Sequence, residues 1–178
     1  MIDIHVLLHH SNAEWDTQNH STIDRAINLA PFPVVLHRLP GENGHIGRGR
    51  ARGYALGTQP YVTYVDHDDY LLPDALAALW PALQQAPDAI FPWELVVQNG
   101  FVSVGQKMHH LCVYKREHII DHAKYVACGD LAQVYVLVGK RCIELEHRGY
   151  VHRVYNSEGK ALRNRNIQEY VEVTKHLR

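Results

Sequence analysis

Cysteine is scarce in this sequence, long apolar runs are missing, and neither sign of charge is in excess. The three cysteines, Cys112, Cys128 and Cys142, include no CxxC pair. That speaks against a disulfide framework and against a thiolate zinc site, and it fits free thiols in a reducing compartment. No stretch approaches the ~20 apolar residues of a membrane span. The opening residues, MIDIHVLLHHSN, lack the basic leader and the longer apolar run of a secretory signal. A formal net charge of −1 gives no overall attraction to nucleic acid or to an anionic membrane, so any such contact needs a local patch. A cytoplasmic protein without membrane insertion is the expectation.

What is present is enough for a core. With 46% hydrophobic and 21% charged residues in 178, the composition is that of one globular domain, 1–178. The 14 histidines are many for this length, and His9, His10, His67, His109 and His110 draw the eye. No pair has the spacing of helical or finger-type zinc ligands, so ordinary polar or surface histidines are expected.

Residues 2–8, IDIHVLL, read as a buried strand ending at the polar HHSN. Ile23, Ala26, Ile27 and Ala30 recur at helical spacing, with Ser21 or Thr22 as N-cap and Pro31 and Pro33 as the stop. VVLHRL gives a second strand, PGENGHIGRGRARG a glycine-rich turn into a third element, and PYVTYVD a strand that delivers Asp66 at its end. Pro73 is placed for the first turn of a helix with Leu76, Leu79, Trp80 and Leu83 on one face, shortened or kinked by Pro81. AIFPWELVV and FVSV around QNG predict a hairpin. HLCVYK, CIELEH and YVHRVY read as strands, residues 130–138 as helical, and Ile167, Tyr170, Val171 and Thr174 as one face of a C-terminal helix. Strands alternating with helices in the first half imply a parallel sheet with crossover helices, and the strand-rich second half implies an antiparallel addition.

Asp66, His67, Asp68 and Asp69 fall just past a strand, where ligands of open α/β sheets bind. Crowded carboxylates suit a divalent cation with phosphate oxygens. They equally suit the N-terminus of the following helix, whose dipole favours negative charge by about 0.3–1 kcal/mol.

The surrounding segment weighs on that choice. ENGHIGRGRARGYALGTQPYVTYVDHDDYLLPDAL, residues 42–76, resembles without a gap the central motif of family 2 glycosyltransferases, ENxGxxxARNxGixxAxGeyixflDxDDxxxpdaL. Asn43, Gly44, Arg50, Gly53, Gly57, Asp66, Asp68, Asp69, Pro73, Asp74 and Leu76 stand in register. More loosely, VLLHHSN resembles the first strand and nucleotide loop, with Asn12 kept and His9, His10 and Ser11 replacing Pro-Thr-Tyr. CGDLAQVYVLVGKRC resembles the segment carrying the catalytic base, and GYVHRVYNSEG the closing strand. Several positions depart from the pattern. Nothing in VVLHRLPGENG matches the acidic DDgStD motif, Ala51 replaces an asparagine, Gly129 a glutamate, and Tyr155 the metal-binding histidine, with His152 three residues earlier.

The resemblance implies an α/β, GT-A-like fold: a Rossmann-like, mostly parallel sheet flanked by helices, with a smaller antiparallel C-terminal part. Residues 1–76 would form the nucleotide-sugar half and 77–178 the acceptor side with its C-terminal helix. It implies inverting transfer from a nucleotide-diphosphate sugar, a UDP-sugar by likeness to the family, to an acceptor hydroxyl. Asp130 is then the base. His9, His10, Ser11, Asn12, Arg50 and Asp66 contact the donor, and Asp66, Asp68 and His152 hold Mn²⁺ or Mg²⁺. Each role has a plain structural alternative: a solvated helix face for Arg48 and Arg50, an N-cap for Asp130, an outward strand position for His152. The competing functions are a non-catalytic nucleotide-sugar-binding module, and a nucleotidyltransferase or nucleotide-sugar hydrolase using the same metal site. For the acceptor, a glycan, small molecule, protein or hydroxymethylated DNA base stay open. Arg48, Arg50, Arg52 and KALRNRN are the candidates for phosphate contact in the DNA case.

Overall fold

In the computed structural model, residues 1–8, 13–42, 45–105, 110–126, 129–154 and residue 169 are described. The expected donor loop His9–Asn12, Tyr155, the KALRNRN segment and the C-terminal helix face lie outside them. Branched apolar residues at alternate positions make β1 (Ile2–Leu8) a strand buried on both faces: Ile2, Ile4 and Val6 enter one core cluster, while Asp3 and His5 are buried on the opposite face. α1 (Ala13–Leu29) carries the chain to β2 (Val34–Pro40), and α2 (Ile46–Tyr54) carries it on to β3 (Tyr61–Asp66). β1 pairs in parallel with both β2 and β3.

The helix expected near Ile23 therefore begins at Ala13. Ser21 and Thr22 lie inside it, their hydroxyls donating to Gln18 and Asn19 carbonyls rather than capping. The third element that the glycine-rich stretch leads into is α2, helical from Ile46, and it uses its glycines for close approach. A Cβ on Gly47 would stand 1.8 Å from the Tyr125 carbonyl oxygen.

After β3 the chain makes a tight acidic turn into β4 (Tyr70–Leu71). This two-residue strand separates Asp68 and Asp69 from the helical region, which overturns the reading of the acidic run as a helix N-terminus. The helix expected from Pro73 is broken into turns, a 3-10 segment at Ala77–Leu79 and α3 (Trp80–Leu83). Pro81 has no N–H and its ring would crowd the carbonyl four residues earlier, so the helix restarts there, with proline in the first turn. The predicted stripe is still inward: Leu76, Leu79 and Leu83 are buried.

The hairpin of β5 (Ala89–Gln98) and β6 (Phe101–Val104) turns at Asn99-Gly100, both at positive φ, as that dipeptide favours. β7 (Val113–Lys115) is short, α4 (Gly129–Tyr135) follows, and the two strands expected near the end are one, β8 (Cys142–Val154). β8 runs parallel to β5, with a register shift opposite Pro92–Glu94.

The eight strands among the described residues form one sheet in the order β2-β1-β3-β7-β5-β8-β4, with β6 on β5. Parallel pairing carries the long ladders, β1 with β2 and β3 and β5 with β8, whereas β7, β4 and β6 pair antiparallel. One core cluster packs Ile2, Ile4, Val6, Ile23, Leu76 and Leu79 together, and another Tyr54, Tyr64, Phe91, Tyr114 and Leu137. Because β2 and β3 flank β1 on opposite sides, the strand order reverses between β1 and β3. Their carboxyl ends are where such a sheet opens a ligand crevice.

Candidate functional site

Asp66 ends β3 at that crevice. Arg50, from the buried face of α2, donates from Nη2 to Asp66 Oδ1 at 2.7 Å. The guanidinium is 4% exposed, and its Cζ lies 3.0 Å from the centroid of the Tyr64 ring. Burial opposes that charge, but Asp66, Tyr64, Asp130 and Tyr54 together outweigh it, so the Arg50 pKa is raised. A second cation-capable group faces Asp66 from the other side, with His110 Nε2 3.3 Å from Asp66 Oδ2. Burial alone would raise the Asp66 pKa, yet Arg50 and His110 together hold it well below the usual carboxylate range.

His110 was expected to be an ordinary polar histidine. Instead it is 4% exposed, just after a segment outside the described residues and just before β7. Its Nδ1 lies 2.6 Å from Oε2 of Glu94, itself buried at the β5 register shift. The ring stacks on Tyr150 at 4.8 Å and on His152 at 4.4 Å between centroids. Burial works against an imidazolium here, but hydrogen bonds to Asp66 and Glu94 outweigh it and push the His110 pKa up to about 10. His5 and His122 are buried as well, and desolvation lowers both their pKa values.

The acidic turn is tied down from two elements. Asn19 of α1 donates to the carbonyls of Asp66 and Asp69 at 2.9 and 2.8 Å. From β8, the Tyr150 hydroxyl accepts from Asp66 N at 3.1 Å and donates to Asp69 Oδ2 at 2.6 Å. Asp69 also accepts from Arg153 N at 2.7 Å and faces His152 Nδ1 at 3.1 Å. Asp69 is thus buried and heavily bonded. Asp68 is more open; burial, Asp69 and Asp66 raise its pKa, while His67 Nδ1 is 3.9 Å away.

Asp130 lies within the first turn of α4, which begins at Gly129, so it is not the N-cap that one reading assigned to it. Tyr64 donates to Asp130 Oδ2 at 3.1 Å, while among the described residues the buried Oδ1 has no hydrogen-bond donor. Asp130, Tyr64, Arg50, Asp66, His110 and Glu94 therefore form one continuous series of contacts. Of the expected site residues that are described, Arg50, Asp66 and Asp130 belong to this series, and His152 stacks against His110. Asp68 stands beside it.

Arg50 does not belong to a solvated face. Arg48 is exposed and paired with Glu42, and Arg52 donates to the Pro40 carbonyl, so no stripe of three arginines faces solvent.

Among solved structures, the fragment 1-349 of TarS from S. aureus superposes with a TM-score of 0.70 at 13% identity, over 97% of this chain and 63% of that one. The same fragment in complex with UDP-GlcNAc gives 0.68 at 14%, over 88% and 59%, and in complex with UDP 0.67 at 14%, over 97% and 63%. The chain has a GT-A-like fold. It spans less than two thirds of the TarS fragment. No protein-family model and no curated protein matches the sequence. In this GT-A-like frame the Arg50–Asp66 pair and the turn to Asp69 lie at the carboxyl end of β3, and the residues around them come from α1, α2, β3, β5, α4 and β8 together. Among the described residues, no helix is long and apolar enough to cross a membrane.

Sequence reasoning missed Glu94, His110, Tyr64, Tyr150 and Asn19. None sits in the 42–76 motif except Tyr64, whose alternation within β3 marked it only as a strand residue.

Proposed function

We propose that this chain is a nucleotide-sugar-dependent glycosyltransferase that is metal-dependent and inverting, with a UDP-sugar as donor. The observation that carries the reading is the Arg50–Asp66 pair in the crevice of a fold shared with TarS, which has been solved with UDP and with UDP-GlcNAc.

The acidic turn fits a cation. Three carboxylates within four residues repel one another, as the raised Asp68 pKa reflects, and oxygen donors of this kind suit Mn²⁺ or Mg²⁺. Asp66, Asp68 and His152 are the residues proposed to hold it. Bound there, the ion supplies positive charge to the departing diphosphate. Arg50 keeps Asp66 ionised and fixed in direction, because its own position is set by α2 and the Tyr64 ring. Asp130 accepts the acceptor hydroxyl's proton as the oxygen attacks the anomeric carbon from the face opposite the leaving group. Tyr64 steadies that carboxylate through a hydrogen bond to Oδ2.

Asp130→Asn tests the assignment. Transfer, followed as glycosylated product from a panel of nucleotide sugars, is expected to fall about 10²–10⁴-fold, with donor affinity retained in a thermal-shift titration. An Asp130→Asn chain that turns over like the parent would remove the base, and donor binding without any transfer by the parent would favour a non-catalytic binding module. Release of free sugar or pyrophosphate in place of glycosylated product would instead assign a hydrolase or nucleotidyltransferase.

A further inference from the structure

We infer that His110 is itself a metal ligand, oriented by the buried Glu94, and completes with Asp69 and His152 a nitrogen-rich centre that takes Mn²⁺, Co²⁺ or Zn²⁺ in preference to Mg²⁺. The inference deepens the proposed function: it rests on that reading's metal and on its ligand His152, and replaces Asp66 and Asp68 with Asp69 and His110.

One ligand atom from each of Asp69, His110 and His152 lies within 4.8 Å of the others. Two of the three are already spaced as neighbouring ligands on one ion: His152 Nδ1 is 3.1 Å from Asp69 Oδ2, and donors about 2.0–2.2 Å from a metal sit roughly 3 Å apart around it. His110 Nε2 faces Asp66 Oδ2 at 3.3 Å. His110 meets the requirement that most histidines fail. Glu94 takes Nδ1 at 2.6 Å, which fixes the ring and directs Nε2 into the cluster, as a carboxylate behind a ligating imidazole does. Space is kept for Glu94 by Gly105, where a Cβ would meet the Glu94 Cγ at 2.5 Å. In the metal-free chain a proton on Nε2 bridges to Asp66; on binding, the ion takes the place of that proton, which leaves to solvent. Two imidazoles in the donor set favour the later divalent ions, whereas Mg²⁺ prefers an all-oxygen shell.

Equilibrium dialysis of the whole chain against each ion alone, without nucleotide sugar, tests the inference. Mn²⁺, Co²⁺ and Zn²⁺ are expected at one equivalent, with Mg²⁺ at least about 100-fold weaker. Glu94→Gln is expected to weaken Mn²⁺ binding about 10–100-fold, and His110→Gln by at least as much. Because His110→Gln disturbs a buried network, pulsed EPR of the Mn²⁺-loaded parent supplies a reading without any substitution, with nitrogen couplings from two imidazoles expected. Coupling from one imidazole or none, Mg²⁺ binding as tight as Mn²⁺, or loss of the ion with Asp68→Asn but not with folded His110→Gln each overturns the inference. A chain that shows both imidazoles and yet transfers no sugar leaves the metal centre standing and sinks the transferase reading alone.

Discussion

Replacing Arg50 with Met removes one member of the central ion pair, and its cost follows from the burial of each partner. The Arg50 side chain is 4% exposed and Asp66 31%, at a separation of 2.7 Å. Removing one partner of a buried pair costs about 3–5 kcal/mol, mostly through the charge left behind. Here Asp66 keeps some water and still has His110 at 3.3 Å, so the lower end applies, about 3 kcal/mol. For a domain of this size 1 kcal/mol moves the midpoint by about 2–4 °C, so Arg50→Met should melt roughly 6–12 °C below the parent. Asp66→Asn should cost a similar amount, since it leaves the guanidinium on the Tyr64 ring with no partner carboxylate in contact. The double variant Arg50→Met/Asp66→Leu should lose less than the sum, because neither charge remains unpaired. Calorimetry at pH 7 in chelator reads all three, and 1 M salt should change the ranking little, because buried pairs are screened weakly. A loss below about 1 kcal/mol for Arg50→Met, or strict additivity of the singles, would refute the assignment of Arg50 and Asp66 as a buried, mutually dependent pair.

The pH dependence of the metal-free chain should carry the signature of the same network. The His110 pKa is pushed up to about 10 from its ordinary value of 6.5, so its contribution is complete below the unfolded value and is lost as pH rises from 6.5 toward 10. Each unit is worth about 1.4 kcal/mol. The groups facing it are Asp66 and Tyr64 of β3, Glu94 of β5, Tyr150 and His152 of β8, and Asp69 of the turn. Urea unfolding at pH 6, 8 and 10 should show this decline in the parent and a flatter profile in His110→Gln; equal slopes would count against it. Asp66, held low, contributes the opposite dependence, present above the ordinary carboxylate range and lost as pH falls below it. Gly47→Ala places a Cβ 1.8 Å from the Tyr125 carbonyl oxygen and 2.3 Å from that of His122, so α2 must lift off residues 122–125. A loss of about 3 kcal/mol in chemical denaturation is expected, and unchanged stability would mean that the helix does not pack there.

The strands β1, β2 and β3 were legible because short branched runs bounded by turn residues leave few alternatives, and Asn99-Gly100 marked its hairpin for the same local reason. The failures have local physical causes too. α1 starts eight residues before the first expected cap because Ser21 and Thr22 serve inside a helix as readily as at its end. The helix expected to be shortened or kinked at Pro81 is interrupted, with a 3-10 segment before a short α-helix, and the spacing of Leu76, Leu79 and Leu83 still predicted the buried face. In the site, the 42–76 motif pointed to Arg50, Asp66 and the acidic turn. It could not say that Asp66 spends its charge on Arg50 and His110, or that Asp69 rather than Asp68 is the buried, heavily bonded carboxylate.

By itself the sequence determined an α/β fold and an acidic turn at the end of a strand, since both follow from near neighbours: alternation along β3, the glycines of α2, and three carboxylates after a strand. Tertiary structure alone decided the company those residues keep. Tyr150 reaches Asp66 and Asp69 from 84 and 81 positions away in the chain, and Glu94 reaches Asp66 through His110, 16 positions from it, brought there by the β5–β8 pairing and its register shift. Whether a histidine is a surface group, an imidazolium between two carboxylates or a metal ligand depends on burial and on the atoms across from each ring nitrogen. Neither is a property of the local sequence.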